Sequence, residues 1–229
     1  AAPVVGPPAF QPPKDGVEGW LAAMEMIVAE ANGASGDEKA KLLSEASRIA
    51  RVRIGDSEVS LKHAEDAASA GEGLQIQRQL VKSQSISGQW EAMKAASETL
   101  AGLESSAASA GELLQDAALL TRQHLGGGAE VRRLLEASLE RNPTDYFSLQ
   151  LLLEYALTKS EWDLAESVLA RMAELAGGSR AAAFHYQRGR ILLEHLDRSD
   201  DGLEAFRSAH KADRNHVSTT LALQSLYAA

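Results

Sequence analysis

From Gly16 onward, apolar residues recur at three- and four-residue spacings, and glycine, asparagine or proline interrupts them at regular intervals. This pattern predicts helices at about 17–31, 37–54, 56–70, 74–86, 88–104, 111–125, 128–141, 144–159, 161–176, 180–196, 199–213 and 216–228. The stops are Asn32-Gly33, Gly55-Asp56, Gly71-Glu72-Gly73, Gly126-Gly127-Gly128 and Gly177-Gly178. Asn142-Pro143-Thr144-Asp145 ends one helix and opens the next. Connections this short make consecutive helices antiparallel neighbours. The expectation is a row of helical hairpins.

A longer period lies over the short one. Trp20, Trp90 and Trp162 are 70 and 72 positions apart, and each opens an apolar, alanine-rich stretch. That spacing is twice a unit of roughly 35 residues, the range of helical solenoids. A lone hairpin cannot cover its apolar face, and stacked neighbours can. Trp90 and Trp162 each begin the second helix of a hairpin, so Trp20 is expected to do the same. The last helix, with Leu221, Leu223 and Leu226, reads as a first helix without a second. Three readings follow: a piece of a longer array, ends that dock on another chain, or a final helix that caps the stack.

The clearest hairpin runs from Glu112 to Pro143, with Leu119, Leu120 and Leu125 before the turn at Gly126 and Val131, Leu134, Leu135 and Leu139 after it. The next carries Leu149, Leu152, Leu153 and Ala156, then Trp162, Ala165, Leu169 and Met172. The one after carries Tyr186, Gly189 and Leu192, then Phe206 and Ala209. These residues resemble the tetratricopeptide repeat. Tyr186-x-x-Gly189-x-x-Leu192 is similar to its first helix, Trp162-x-x-Ala165-x-x-x-Leu169-x-x-Met172 to its second, and Arg141-Asn142-Pro143 to its terminal proline. The resemblance covers roughly 37–213. The hairpin at 37–70 departs from it, because Arg48 and Arg51 fall near positions where small or apolar residues are usual. The resemblance implies an all-α fold, a right-handed α–α superhelix of about five hairpins with a flanking helix at each end. The hairpins would lie near 37–70, 74–104, 111–141, 144–176 and 180–213, with flanking helices at 17–31 and 216–228. Residues 1–15 hold five of the six prolines and read as an extended arm or linker.

Composition sharpens this picture. Aromatic residues are only 5% of the chain, and the β-branched and aromatic runs that strands prefer are missing. The net charge of −9 comes with no basic stripe, so a nucleic-acid partner is not expected. No apolar run approaches the ~20 residues that span a bilayer. With no cysteine, disulfides and thiolate-held metals are excluded and the compartment, cytoplasmic or extracytoplasmic, is left open. The chain begins Ala-Ala-Pro, as expected of a processed protein or an excised fragment.

Chemistry-bearing patterns are scarce. His63, His124, His185, His195, His210 and His216 form no metal-ligand spacing. Gly126-Gly127-Gly128 lacks the preceding strand and the following Lys-Ser/Thr of a phosphate loop, so it reads as a helix–helix turn. No Gly-x-Ser-x-Gly elbow occurs. Neither an enzyme nor a cofactor is expected.

The resemblance implies a groove instead. First helices of such hairpins face a bound peptide or helix, and the positions carried over are Gln75, Arg78, Gln79 and Lys82; Asp116, Leu120 and Gln123; Phe147, Gln150, Glu154 and Thr158; and Tyr186, Arg190 and Glu194. Amides can pair with a ligand backbone, Arg78 and Lys82 can hold a carboxylate, and aromatic residues often anchor interfaces. The expected partner is a protein or peptide. The alternative is a spacer that self-associates through its ends, or a regulatory region of a larger protein.

Overall fold

The computed structural model describes residues 16–228, so the expected proline-rich arm lies outside the described residues. Twelve α-helices and one π-helical turn make up the described chain, with no strand among the described residues. The helices are α1 (Gly16–Gly33), α2 (Gly36–Ile49), α3 (Ser57–Ala70), α4 (Leu74–Ile86), α5 (Trp90–Leu103), α6 (Ala107–His124), α7 (Ala129–Arg141), α8 (Tyr146–Lys159), α9 (Trp162–Leu175), α10 (Gly178–Glu194), α11 (Ser199–Ala212) and α12 (Val217–Ala228). The chain divides into two compact units at Ser105–Ser106. Within each unit, successive helices pack as antiparallel hairpins: α2/α3 and α4/α5 in unit 1, and α6/α7, α8/α9 and α10/α11 in unit 2. α1 packs on α2, and α12 packs on α11 and α10. This is the all-α arrangement of helical hairpins that the periodicity implies.

Two predicted helix limits change for physical reasons. The helix expected over 37–54 switches to a π-helical turn at Ala50–Ile54. The amide of Gly55 donates to the carbonyl of Ala50, 2.8 Å away, and Asp56 donates to the same oxygen at 3.0 Å. Gly55 ends the turn with a φ of 83°, which a side chain would resist. The helix expected from 111 starts four residues earlier, at Ala107. Ser106 caps that helix by accepting the amide of Ser109.

Unit 1 is held by small residues. Ala31, Ala40, Ala46, Ala50, Ala64 and Ala67 are all fully buried, with Leu43, Ile49 and Leu80 between them. Three buried hydroxyls join α2, α3 and α4. Ser47 donates to the Ser60 carbonyl at 2.7 Å, and its Oγ lies 3.4 Å from that of Ser83. The hydroxyls of Ser60 and Ser83 are 2.9 Å apart.

Unit 2 is held by volume. Leu134, Leu135, Leu149, Leu152, Val168, Leu169, Leu192 and Phe206 are buried almost completely. The α10/α11 crossing is so close that a methyl group on Gly189 would sit 2.7 Å from the Phe206 ring, and one on Gly202 would sit 2.8 Å from Leu193. Only glycine fits at either position without displacing a neighbour. Ser138 repeats the hydroxyl device, donating to the Gly111 carbonyl at 2.8 Å beside Ser148.

Candidate functional site on the first helices of unit 2

α8 is apolar around most of its circumference. Leu149, Leu152, Leu153 and Ala156 point into the core, and Asp145 caps the helix by accepting the Ser148 amide at 2.9 Å. What remains is an exposed stripe of Phe147, Gln150, Glu154, Leu157 and Thr158, spaced to share one face. Phe147 is 47% exposed and Leu157 is 43% exposed, although both are large and apolar.

A recess lies on each side of this helix. The first, about 230 Å³, lies between α6, α7 and α8, with Leu119, Val131, Leu135, Leu151 and Tyr155 as its apolar lining. Arg122, Glu154, Thr158 and Lys159 stand around it, as does the turn Gly126–Gly128. The three glycines have φ values of 80°, 71° and 81°, so the backbone itself forms this wall. Arg122 on α6 reaches Glu154 on α8 at 3.1 Å, an ion pair open to solvent on both sides.

The second recess, about 300 Å³, lies between α8, α9 and α10, lined by Leu157, Trp162, Leu169, Gln187, Ile191 and His195 together with Arg190 and Glu194. The Trp162 and His195 rings stack face to face at 3.7 Å and 4°. Arg190 pairs with Glu194 at 2.7 Å on the same helix. Its hydrogen bond holds the Glu194 carboxyl below the usual carboxylate range. Among the described residues no helix is long and apolar enough to cross a membrane.

The residues expected from the sequence fall into different environments. Glu154, Thr158, Arg190 and Glu194 line the recesses, and Phe147 and Gln150 extend the same stripe. Gln123 is exposed on α6. Asp116 is also exposed as a residue, yet partial burial of its carboxyl and then the neighbouring Glu112 raise it above the usual range. Leu120 is a correction: it is 7% exposed and belongs to the core, because Leu119 takes the recess-facing position one residue earlier. Tyr186 is half-buried and its ring packs 5.6 Å from Phe206 and 5.5 Å from His216. In unit 1, Gln75 and Lys82 are exposed, Arg78 pairs with Glu104, and Gln79 is buried. Arg122, Leu157 and Gln187 escaped the sequence reading. Leu157 carried a signal, since it follows Glu154 by three positions on the same face.

No family model matches this chain, and no curated protein matches it. Solved structures do. YrrB, described as a tetratricopeptide-repeat protein with an unusual peptide-binding site, is 15% identical over 91% of this chain and all of its own, with a TM-score of 0.46. A tetratricopeptide repeat protein from Parabacteroides merdae is 16% identical over 90% of this chain and 92% of its own, also at 0.46. The pilF protein of Pseudomonas aeruginosa is 9% identical over 92% of this chain and 99% of its own, at 0.42.

Proposed function

We propose that this chain is a non-enzymatic scaffold for protein–protein interaction, and that unit 2 grips an extended segment of a partner along α8. The observation that carries this reading is the pair of apolar-lined recesses flanking a helix that leaves Phe147 and Leu157 in solvent. Each recess suits a large apolar side chain of the partner, and the exposed stripe between them suits the partner's backbone. The charged rims favour the same reading. Arg122–Glu154 and Arg190–Glu194 are surface pairs, and exchanging such a pair for a ligand contact costs little. The ligand class is an extended peptide with spaced apolar residues and polar groups between them.

A random-peptide display selection against the parent chain tests this. Selected peptides are expected to carry spaced large apolar residues and to lose about tenfold or more in affinity against Leu157→Glu and Glu154→Arg variants of unchanged helical content. Peptides that bind both variants as they bind the parent would remove the site. A failed selection together with a concentration-dependent mass abolished by Leu221→Ser would favour the spacer reading. Val217, Leu221 and Tyr227, all exposed on α12, supply the surface for that alternative.

A further inference from the structure

Two half-buried aromatic rings, Tyr146 at the start of α8 and Phe184 on α10, stand side by side in unit 2. Their centroids are 6.3 Å apart and their planes are tilted by 49°. Arg180, one turn before Phe184, holds its guanidinium 5.6 Å from the centre of the Tyr146 ring. Arg180 is exposed, and so is Gln150, one turn after Tyr146. Each helix thus sets an aromatic ring and a side-chain hydrogen-bond donor one turn apart, Tyr146 with Gln150 and Phe184 with Arg180. None of these four residues lines either recess described above, and only Gln150 also belongs to the exposed stripe of α8. Aromatic rings beside side-chain donors suit a ligand whose backbone offers carbonyls but few N–H groups, which is the chemistry of a proline-rich segment.

The chain carries a segment of this kind. Residues 1–15, outside the described residues, include Pro3, Pro7, Pro8, Pro12 and Pro13. Five of these fifteen positions have no backbone N–H to give, yet each keeps a carbonyl that accepts. In the polyproline II conformation, three residues make one turn. At that period Val4, Pro7, Phe10 and Pro13 share one edge, and all four are apolar. From Pro7 to Pro13 that edge spans about 19 Å, well beyond the 6.3 Å between the two rings. A backbone already restricted by proline also loses little freedom on docking. We propose that residues 1–15 of this chain are a ligand for the patch of Tyr146, Phe184, Arg180 and Gln150. The apolar edge lies against the aromatic pair, and Arg180 and Gln150 donate to carbonyls of the segment. This goes beyond the partner reading for α8, because the occupant is the chain's own proline-rich segment and the aromatic pair stands apart from the recesses.

The test uses the full chain with Pro7, Pro8, Pro12 and Pro13 replaced by alanine, so that its own segment no longer competes. The ring signals of Tyr146 and Phe184 are followed by nuclear magnetic resonance while a synthetic peptide of residues 1–15 is added. A saturable shift is expected with the natural peptide, and an affinity lower by about tenfold or more with a peptide carrying the same four alanines. Tyr146→Leu, which keeps bulk but removes the ring, and Arg180→Ala are each expected to weaken binding by about threefold to tenfold. Tyr146→Phe is expected to retain it. Leu157→Glu, aimed at the partner recess, is expected to leave it unchanged, so the two readings fail separately. Ring signals that stay still with the natural peptide would overturn the proposal. So would equal affinity for the two peptides, or binding that survives Tyr146→Leu and Arg180→Ala together in a chain of unchanged helical content.

Discussion

The two units reach the same helical-hairpin architecture with different interiors. Unit 1 brings helices together on alanine, and hydroxyls bridge the crossing of α2, α3 and α4. Unit 2 fills its crossings with leucine and phenylalanine, and it uses glycine where Phe206 and Leu193 press against a neighbouring backbone. An interior of large side chains draws its stability from apolar area removed from water. An interior of small ones depends more on close contact and on satisfied polar groups. Buried polar side chains are correspondingly denser in unit 1, where Ser47, Ser60, Gln77, Gln79, Ser83, Gln84 and Ser97 are all nearly inaccessible. Unit 2 leaves the large apolar Phe147 and Leu157 in solvent, whereas unit 1 holds unsatisfied donors at Arg51 and Gln79.

Core truncation gives the largest expected effect. Leu169→Ala in unit 2 should cost about 3 kcal/mol, through lost transfer energy and a residual cavity. Its counterpart in unit 1 is overpacking: Ala46→Leu should cost about 1–3 kcal/mol, because the site has no room for three further carbons. Denaturant titrations followed by Trp162 fluorescence for unit 2, and by Trp20 and Trp90 for unit 1, report each unit separately. The contrast breaks if Ala46→Leu is neutral, or if Leu169→Ala costs less than 1 kcal/mol, an effect about the size of an ordinary surface substitution.

Hydroxyl removal comes next. Ser47→Ala should cost about 1 kcal/mol, since it takes one member from a buried hydrogen-bonded group. Ser138→Ala in unit 2 should cost about the same, because Ser138 donates to a buried carbonyl in a similar way. A clearly larger loss at Ser47 would mean that the three-hydroxyl group acts cooperatively, sharpening the distinction between the interiors. Calorimetric melting of the single variants and of Ser47→Ala with Ser60→Ala decides this.

The smallest expected effect is on pH dependence. Burial, the leading cause, lowers the pKa of both His63 in unit 1 and His185 in unit 2. Lys62 lowers His63 further while Asp66 opposes it, and Arg188 lowers His185 further while Glu174 opposes it. The folded state thus binds fewer protons than the unfolded one. The contribution is complete above the unfolded imidazole value, about 6.5, and is lost as pH falls below it toward the folded values. Denaturation midpoints measured at about pH 7.5 and about pH 5.5 should fall in the parent and fall less in His63→Gln and His185→Gln. Parallel curves for parent and variants would show that neither imidazole contributes.

The helices were legible because their signals are local. Apolar spacing, glycine stops and the Asn142–Asp145 punctuation place α7, α8 and α9 within two residues of their observed limits. The π-helical turn was not legible, because nothing in Ala50–Ile54 marks the change from four-residue to five-residue hydrogen bonding. The candidate surface was read only in part. Periodicity picks the helix face but does not settle which of two adjacent leucines turns outward, so Leu120 was expected at a surface that Leu119 occupies. Gln79 lies on a polar stripe of α4, and only the arrival of Arg51 from a helix 28 positions earlier shows that it is buried. Arg51 did stand out in the sequence as a departure from the repeat pattern, and the structure places it beside an unsatisfied amide.

The serine bridge has a kinetic consequence. Its longest link, Ser47 to Ser83, spans only 36 positions, and the link from Ser138 to Gly111 spans 27. Chain closure over such distances is entropically cheap, and topologies rich in nearby contacts fold fast. During synthesis the hydroxyl of Ser47 needs no distant segment to find its partners. Once Ser83 has cleared the ribosomal exit, every group in that bridge is available, and unit 1 can begin to close before most of unit 2 has been translated.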